Sequence, residues 1–122
     1  MKFYDELNIA TQKDRELLYS APMIQDALAG KIDIHTYVTF LSQAYHHVRH
    51  TVPLLMACGS RLSPEYEFMK KAITEYIEEE YGHEQWILND IQHCGFDPEQ
   101  VKNSTPHLTT DMMVRYAYHQ ID

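Results

Sequence analysis

Apolar residues recur at intervals of three and four over two long stretches of this chain. Tyr37, Leu41, Tyr45, Val48, Val52 and Leu55 make one stripe; Met69, Ile73, Tyr76, Ile77, Ile87 and Ile91 make the other. That spacing is the period of a helix face packed on a core, not the period of two that a half-buried strand requires. No alternating apolar-polar run bounded by turn residues occurs anywhere in the chain. The fold class is therefore all-α. At 122 residues the chain is long enough for one domain with a modest core.

The helix breakers divide the pattern into about five helices. A polar first helix is predicted over 4–18, with Leu7, Ile9, Ala10, Leu17 and Leu18 as its apolar share. Ser20 can cap a short helix over 21–29, with Pro22 in the first turn and Gly30 after its end. Asp33 can cap a long helix over 34–57, kinked at Pro53 and closed by Gly59. Ser63-Pro64-Glu65 repeats the capped start for a helix over 64–93 that stops at Gly95. A loop with Pro98 and Pro106 follows, and Thr109 or Thr110 caps a last helix still running at Asp122. No stop signal follows Ile121-Asp122, which suits a natural end and a truncated chain equally. No linker or repeat divides residues 1–122, so they read as one all-α domain.

Ten Lys and Arg against eighteen Asp and Glu give a formal charge of −8. Nucleic acid and anionic membranes both demand a positive footprint, so neither is an expected partner. No apolar run reaches the roughly 18–20 residues of a membrane span, and the charged N-terminus is unlike a secretory signal. Two cysteines, Cys58 and Cys94, are too few for a disulfide scaffold and read as small hydrophobes near helix ends. The expected setting is a reducing cytoplasm. No Ser–His–Asp arrangement, Gly-rich phosphate loop or Cys/His zinc spacing is visible.

The chemistry lies in the second stripe. If 64–93 is one helix, the positions that continue the stripe through its middle are Glu80, His83 and Glu84. Glu80 falls near the centre, and His83 and Glu84 lie within about 60° of it at 100° per residue. Glu78 falls on the solvent face and Glu79 at the edge; a rotation of about 40° exchanges the roles of Glu79, Glu80 and Glu84. An unanswered carboxylate in a core costs several kcal/mol. A divalent cation would answer it, and Glu-x-x-His at i, i+3 is the device of carboxylate di-metal bundles. Carboxylate plus imidazole suits iron or manganese, with zinc as another option. The other reading pairs Glu80 with a core His, Tyr or Arg and binds no metal.

The remaining candidates surround that pair. His46 and His50 point away from the first stripe and read as surface histidines. His47 lies at its edge, beside Phe40 and Thr51, where it can ligate a metal, orient a ligand or sit as a satisfied boundary residue. Tyr45, Tyr76 and Tyr116 fall on inward faces. Their hydroxyls can orient a carboxylate or touch a substrate, or each can fill core with one hydrogen bond.

Leu28-Ala29-Gly30-Lys31-Ile32-Asp33 and Tyr37-Val38-Thr39-Phe40-Leu41-Ser42-Gln43-Ala44-Tyr45 resemble the opening of the TenA/PqqC-like branch of the heme-oxygenase-like superfamily. Glu78-Glu79-Glu80-Tyr81-Gly82-His83-Glu84 with Trp86 is similar to that superfamily's Glu/His helix, and fits best the iron-containing redox enzymes, or heme-oxygenase-like di-iron oxidases. The resemblance spans nearly the whole chain but matches only the N-terminal half of such a protein. It implies a heme-oxygenase-like helical bundle, present in part, and often a homodimer. It further implies a di-iron cofactor with Glu80 and His83 as metal ligands, and O₂ with a small amine, amino acid or fatty acid as substrates. Glu84 and His47 would then orient the ligands; Tyr45 and Tyr76, from their inward faces, are the candidate catalytic side chains. The later ligands of the family, a Glu and a helix with several His or Asp residues, have no counterpart here.

Two alternatives belong to other classes. One is a TenA-like hydrolase with a nucleophilic cysteine, or a PqqC-like cofactorless oxidase. The other is a non-enzymatic helical interaction module in which Glu80 and His83 fix core register.

Overall fold

The computed structural model describes residues 1–122, and every regular element in it is helical. The nine α-helices are α1 (Phe3–Ala10), α2 (Gln12–Ser20), α3 (Pro22–Leu28), α4 (Ile34–Val48), α5 (Thr51–Ser60), α6 (Lys70–Glu80), α7 (His83–His93), α8 (Pro98–Lys102) and α9 (Leu108–Ile121). A 3-10 segment, Pro64–Met69, precedes α6. The all-α expectation holds, and no helix is long and apolar enough to cross a membrane.

The chain forms two compact units, Met1–Asp33 and Ile34–Asp122. In the first, the predicted helix 4–18 is two helices that meet at Thr11. The Thr11 hydroxyl donates back to the Leu7 carbonyl at 2.8 Å, a bond that competes with the helix ladder. Ser20 ends α2 instead of capping α3, whose N-cap is Ala21 with Pro22 in the first turn. No side chain of α1, α2 or α3 is buried.

The second unit holds the core. Val38, Leu41 and Tyr45 of α4 cluster with Leu88 and Ile91 of α7 and Val101 of α8, backed by Ile87, Cys94 and Phe96. Helix α4 is the hub: it packs on α7, α8 and α9, while α5 packs on α6 and α9. Gly95, at φ +88°, turns the chain out of α7, as expected. Its N–H donates to the Gln92 carbonyl and that of Phe96 to the Ile91 carbonyl, the paired bonds of a glycine C-cap. That cap folds Phe96 back onto the core.

Two predicted long helices are broken. The first divides at Arg49-His50 between α4 and α5. Pro53 is the cause: it has no N–H to offer the Arg49 carbonyl, and its ring would clash with that carbonyl in a continuous helix. The break places Pro53 in the first turn of α5, where no intrahelical bond is lost. Gly59 does not close the helix but lies inside α5, where a Cβ would stand 3.6 Å from Ile73 of α6. The second long helix divides three ways, because Pro64–Met69 winds as 3-10 and the rest breaks between Glu80 and His83.

The start of α9 is held from across the unit. Neither Thr109 nor Thr110 caps it; its N-cap is His107. The side-chain Oε1 of Gln43, on α4, accepts from the His107 N–H at 2.9 Å and the Thr110 hydroxyl at 2.8 Å. The α9 face turned inward is Val114, Ala117, Tyr118 and Ile121. Tyr116, expected inward, is 64% exposed, and Met112 and Met113 are exposed beside it.

Candidate functional site

Helix α6 ends at Glu80 and α7 begins at His83. Between them Tyr81 takes φ −60°, ψ 120° and Gly82 takes φ +86°, ψ 1°. Those angles are the two central residues of a type II turn, which requires positive φ at the second position and so favours glycine there. No atom crowds the space a Cβ would fill at Gly82, so the demand for glycine is purely conformational. The ends of this turn are Glu80 and His83.

The turn, not a shared helix face, brings the predicted ligands together. His83 Nδ1 and Glu80 Oε2 stand 3.0 Å apart, and each side chain is about three-quarters shielded, at 28% and 23% exposure. Trp86, one turn into α7, lays its ring against the His83 imidazole with centroids 4.3 Å apart. Trp86 is itself 64% exposed, so the pair sits under an aromatic shelf at the surface and not inside the core.

The other predicted residues scatter. Glu84 is half-buried in the first turn of α7 and makes no hydrogen bond to the pair. Glu78 and Glu79 are exposed. Tyr45 is buried in the α4 core against His46, with ring centroids 5.5 Å apart. Tyr76 is 48% exposed, not inward. Its placement assumed one straight helix; α6 instead buries Ile73 and Ile77 toward α5 and leaves Tyr76 on its flank. His47 is exposed on α4. Cys58 and Cys94 are free thiols, half-buried, and Cys94 packs against the core.

His46 and His50, predicted at the surface, are the inward histidines. Helix α4 packs on neighbours along more than one side, so it buries a wider arc than a single apolar stripe. His46 is only 5% exposed, and its Nε2 lies 2.8 Å from the Ser104 oxygen. The Ser104 hydroxyl proton already goes to the Val101 carbonyl at 2.7 Å, so Ser104 accepts and His46 Nε2–H donates. His50 Nδ1 pairs with the Tyr118 hydroxyl at 3.0 Å, ring edge to ring face. Burial, then the positive charge of Arg49, holds both imidazoles below the ordinary pKa of 6.5. His107 and His50 add to the effect at His46, while Asp111 partly opposes it at His50. The sequence signal for His46 was weak, since it depended on which helices flank α4.

These histidines line a cavity of about 200 Å³ with Arg49, Ser104, Thr110 and Asp111. A shallower groove of about 300 Å³ runs along His35, Thr39, Ser42, Phe96 and Gln100. Nowhere do three His, Cys, Asp or Glu side chains converge as a metal would require. Glu80 and His83 are of ligand types that iron accepts, and their separation permits a shared proton or a shared cation. Two protein ligands do not complete a site.

The arrangement of helices is that of a heme-oxygenase-like protein. A crystal structure of a domain of unknown function with a heme oxygenase-like fold, from Shewanella denitrificans OS217, superposes with a TM-score of 0.79 at 28% identity. The alignment covers 99% of this chain and 52% of that one, so the chain spans about half the length of this neighbour. Residues 38–121 match the family model described as iron-containing redox enzyme, and the chain belongs to that family. No curated protein matches it. The family match begins in α4 and takes in both the Glu80–His83 turn and the histidine-lined cavity.

Proposed function

We propose that this chain contributes Glu80 and His83 to a non-heme iron centre that uses O₂ to oxidise a small organic substrate. The observation that carries the reading is the Glu80–His83 contact at 3.0 Å, built by a turn that only glycine forms easily. Membership of a family described as iron-containing supports iron as the metal. Bound iron would supply the electrons that O₂ needs, which protein side chains of this kind cannot.

The chain's own residues hold and shield. Glu80 Oε2 and His83 Nδ1 already stand side by side, so a cation that replaced the proton between them would meet both ligand atoms with the ring held in place. Trp86 covers one ring face and limits its contact with water. The missing ligands come from outside these two residues: from a longer chain that completes the domain, or from a second copy. A two-fold pair would bring two Glu80–His83 sets together. The exposed Tyr81 and Trp86 beside the pair would gain cover in either arrangement.

The satisfied Glu80–His83 bond also suits a second reading, a metal-free polar contact that fixes the α6–α7 turn. Anaerobic loading with ferrous iron, followed by desalting and metal counting, separates the two. Iron retained by the native protein and lost in both His83→Ala and Glu80→Gln supports the iron centre. Iron absent, or retained equally by the variants, supports the metal-free contact.

A further inference from the structure

We propose that Arg49 and His50 form a binding site for a small carboxylate in the cavity between the corner that follows α4, the segment leading into α9, and α9 itself. Neither Glu80 nor His83 lines this cavity, so the inference does not rest on the iron reading. Its volume of about 200 Å³ is below the range typical of drug-sized ligands and suits a molecule of a few heavy atoms.

The lining has donors to offer and few free acceptors. Arg15 bonds to Thr11 and Asn8, Arg61 to Asp122, and Arg115 to Asp111. Arg49 is the one arginine whose guanidinium has no oxygen partner, and it borders the cavity. The two hydroxyls there have already placed their protons: Ser104 donates to Val101 and Thr110 to Gln43. The one carboxylate, Asp111, is held by Arg115 at 2.8 Å. His50 uses Nδ1 on Tyr118 and leaves Nε2 uncommitted. What remains without a protein partner is the Arg49 guanidinium, joined by His50 Nε2–H when the Tyr118 hydroxyl donates to Nδ1, and an acceptor-rich anion fits that pair.

Charge narrows the class. Asp111 is paired with Arg115 outside the lining, so Arg49 is the lining's one cation without a carboxylate partner, and its charge is single. A monoanion balances it, and a planar carboxylate matches the fork of a guanidinium through two parallel hydrogen bonds. Inorganic phosphate at neutral pH brings more charge than the one cation answers.

The test is an NMR titration of the histidine rings with sodium propionate, with sodium chloride and inorganic phosphate in parallel at matched ionic strength. Propionate is expected to shift His46 and His50 saturably, and chloride is not. Arg49→Gln should weaken propionate about tenfold or more, because a charged hydrogen-bond partner is lost. Arg61→Gln, which removes an arginine already paired with Asp122, should leave binding unchanged. Arg49 is exposed, so its variant should keep the native amide spectrum; if it does not fold, the native titration alone decides. Shifts that grow linearly as with chloride, equal binding by Arg49→Gln, or saturation by phosphate alone would each overturn the proposal.

Discussion

Burial and the Arg49 guanidinium both disfavour protonation of His46 and His50, and this has a consequence for stability. The unfolded chain takes up these protons at the ordinary value near 6.5, while the folded chain takes them up only at lower pH. Between the two values the unfolded state binds more protons, so stability rises with pH there. The protein should therefore lose stability as pH falls through 6.5 and level off below the folded value. Chemical denaturation at a series of pH values should show this, and His50→Gln should flatten the slope. An equal slope in the variant would place the effect elsewhere. Neither histidine is legible from a helical wheel: for His46 a wheel assigns one inward face while α4 has neighbours on several sides, and at His50 the helix itself breaks. Glu80 and His83 were legible, but through the wrong geometry: spacing of three joins residues across a helix turn and across a type II turn alike.

At the scale of elements, the breaks matter more than the helices. The Tyr81-Gly82 turn ends α6 and aims α7, and its angles forbid little except a side chain at position 82. Gly82→Ala should cost about 1–2 kcal/mol, the penalty of a left-handed non-glycine residue. Urea denaturation would measure it, and the His83 ring signal should move with it; a neutral result would mean the turn is not as described. Gly59 predicts the opposite sign. It sits inside α5 at ordinary contact distance from Ile73, so Gly59→Ala should stabilise by about 0.5–1 kcal/mol through helix propensity. Loss of stability there would show that α5 and α6 pack more tightly than 3.6 Å implies. Both glycines were visible in the sequence. Gly59 has the placement of a helix stop but packs inside α5, and Gly82 is masked by the apolar period on either side of it. Pro53 predicts a kink, and the lost N–H and ring clash that make a kink make a full break here, between Val48 and Thr51.

For the whole molecule, the all-α class is legible because apolar period and breaker placement survive errors of a turn or two, and the family through the resemblance carried by residues 28–33, 37–45 and 78–84. Packing partners are not, because they depend on which faces neighbouring helices cover. Trp86, Tyr81, Tyr76 and Tyr116 are among the large apolar side chains left exposed. The central claim is that Glu80 and His83 hold iron, and diffraction locates iron directly. Crystals grown after anaerobic ferrous loading should give an anomalous peak at the iron edge that contacts both side chains, with the remaining ligands from additional chain or a second copy. An intact Glu80–His83 hydrogen bond with no peak beside it, or a peak bound elsewhere, would contradict the account.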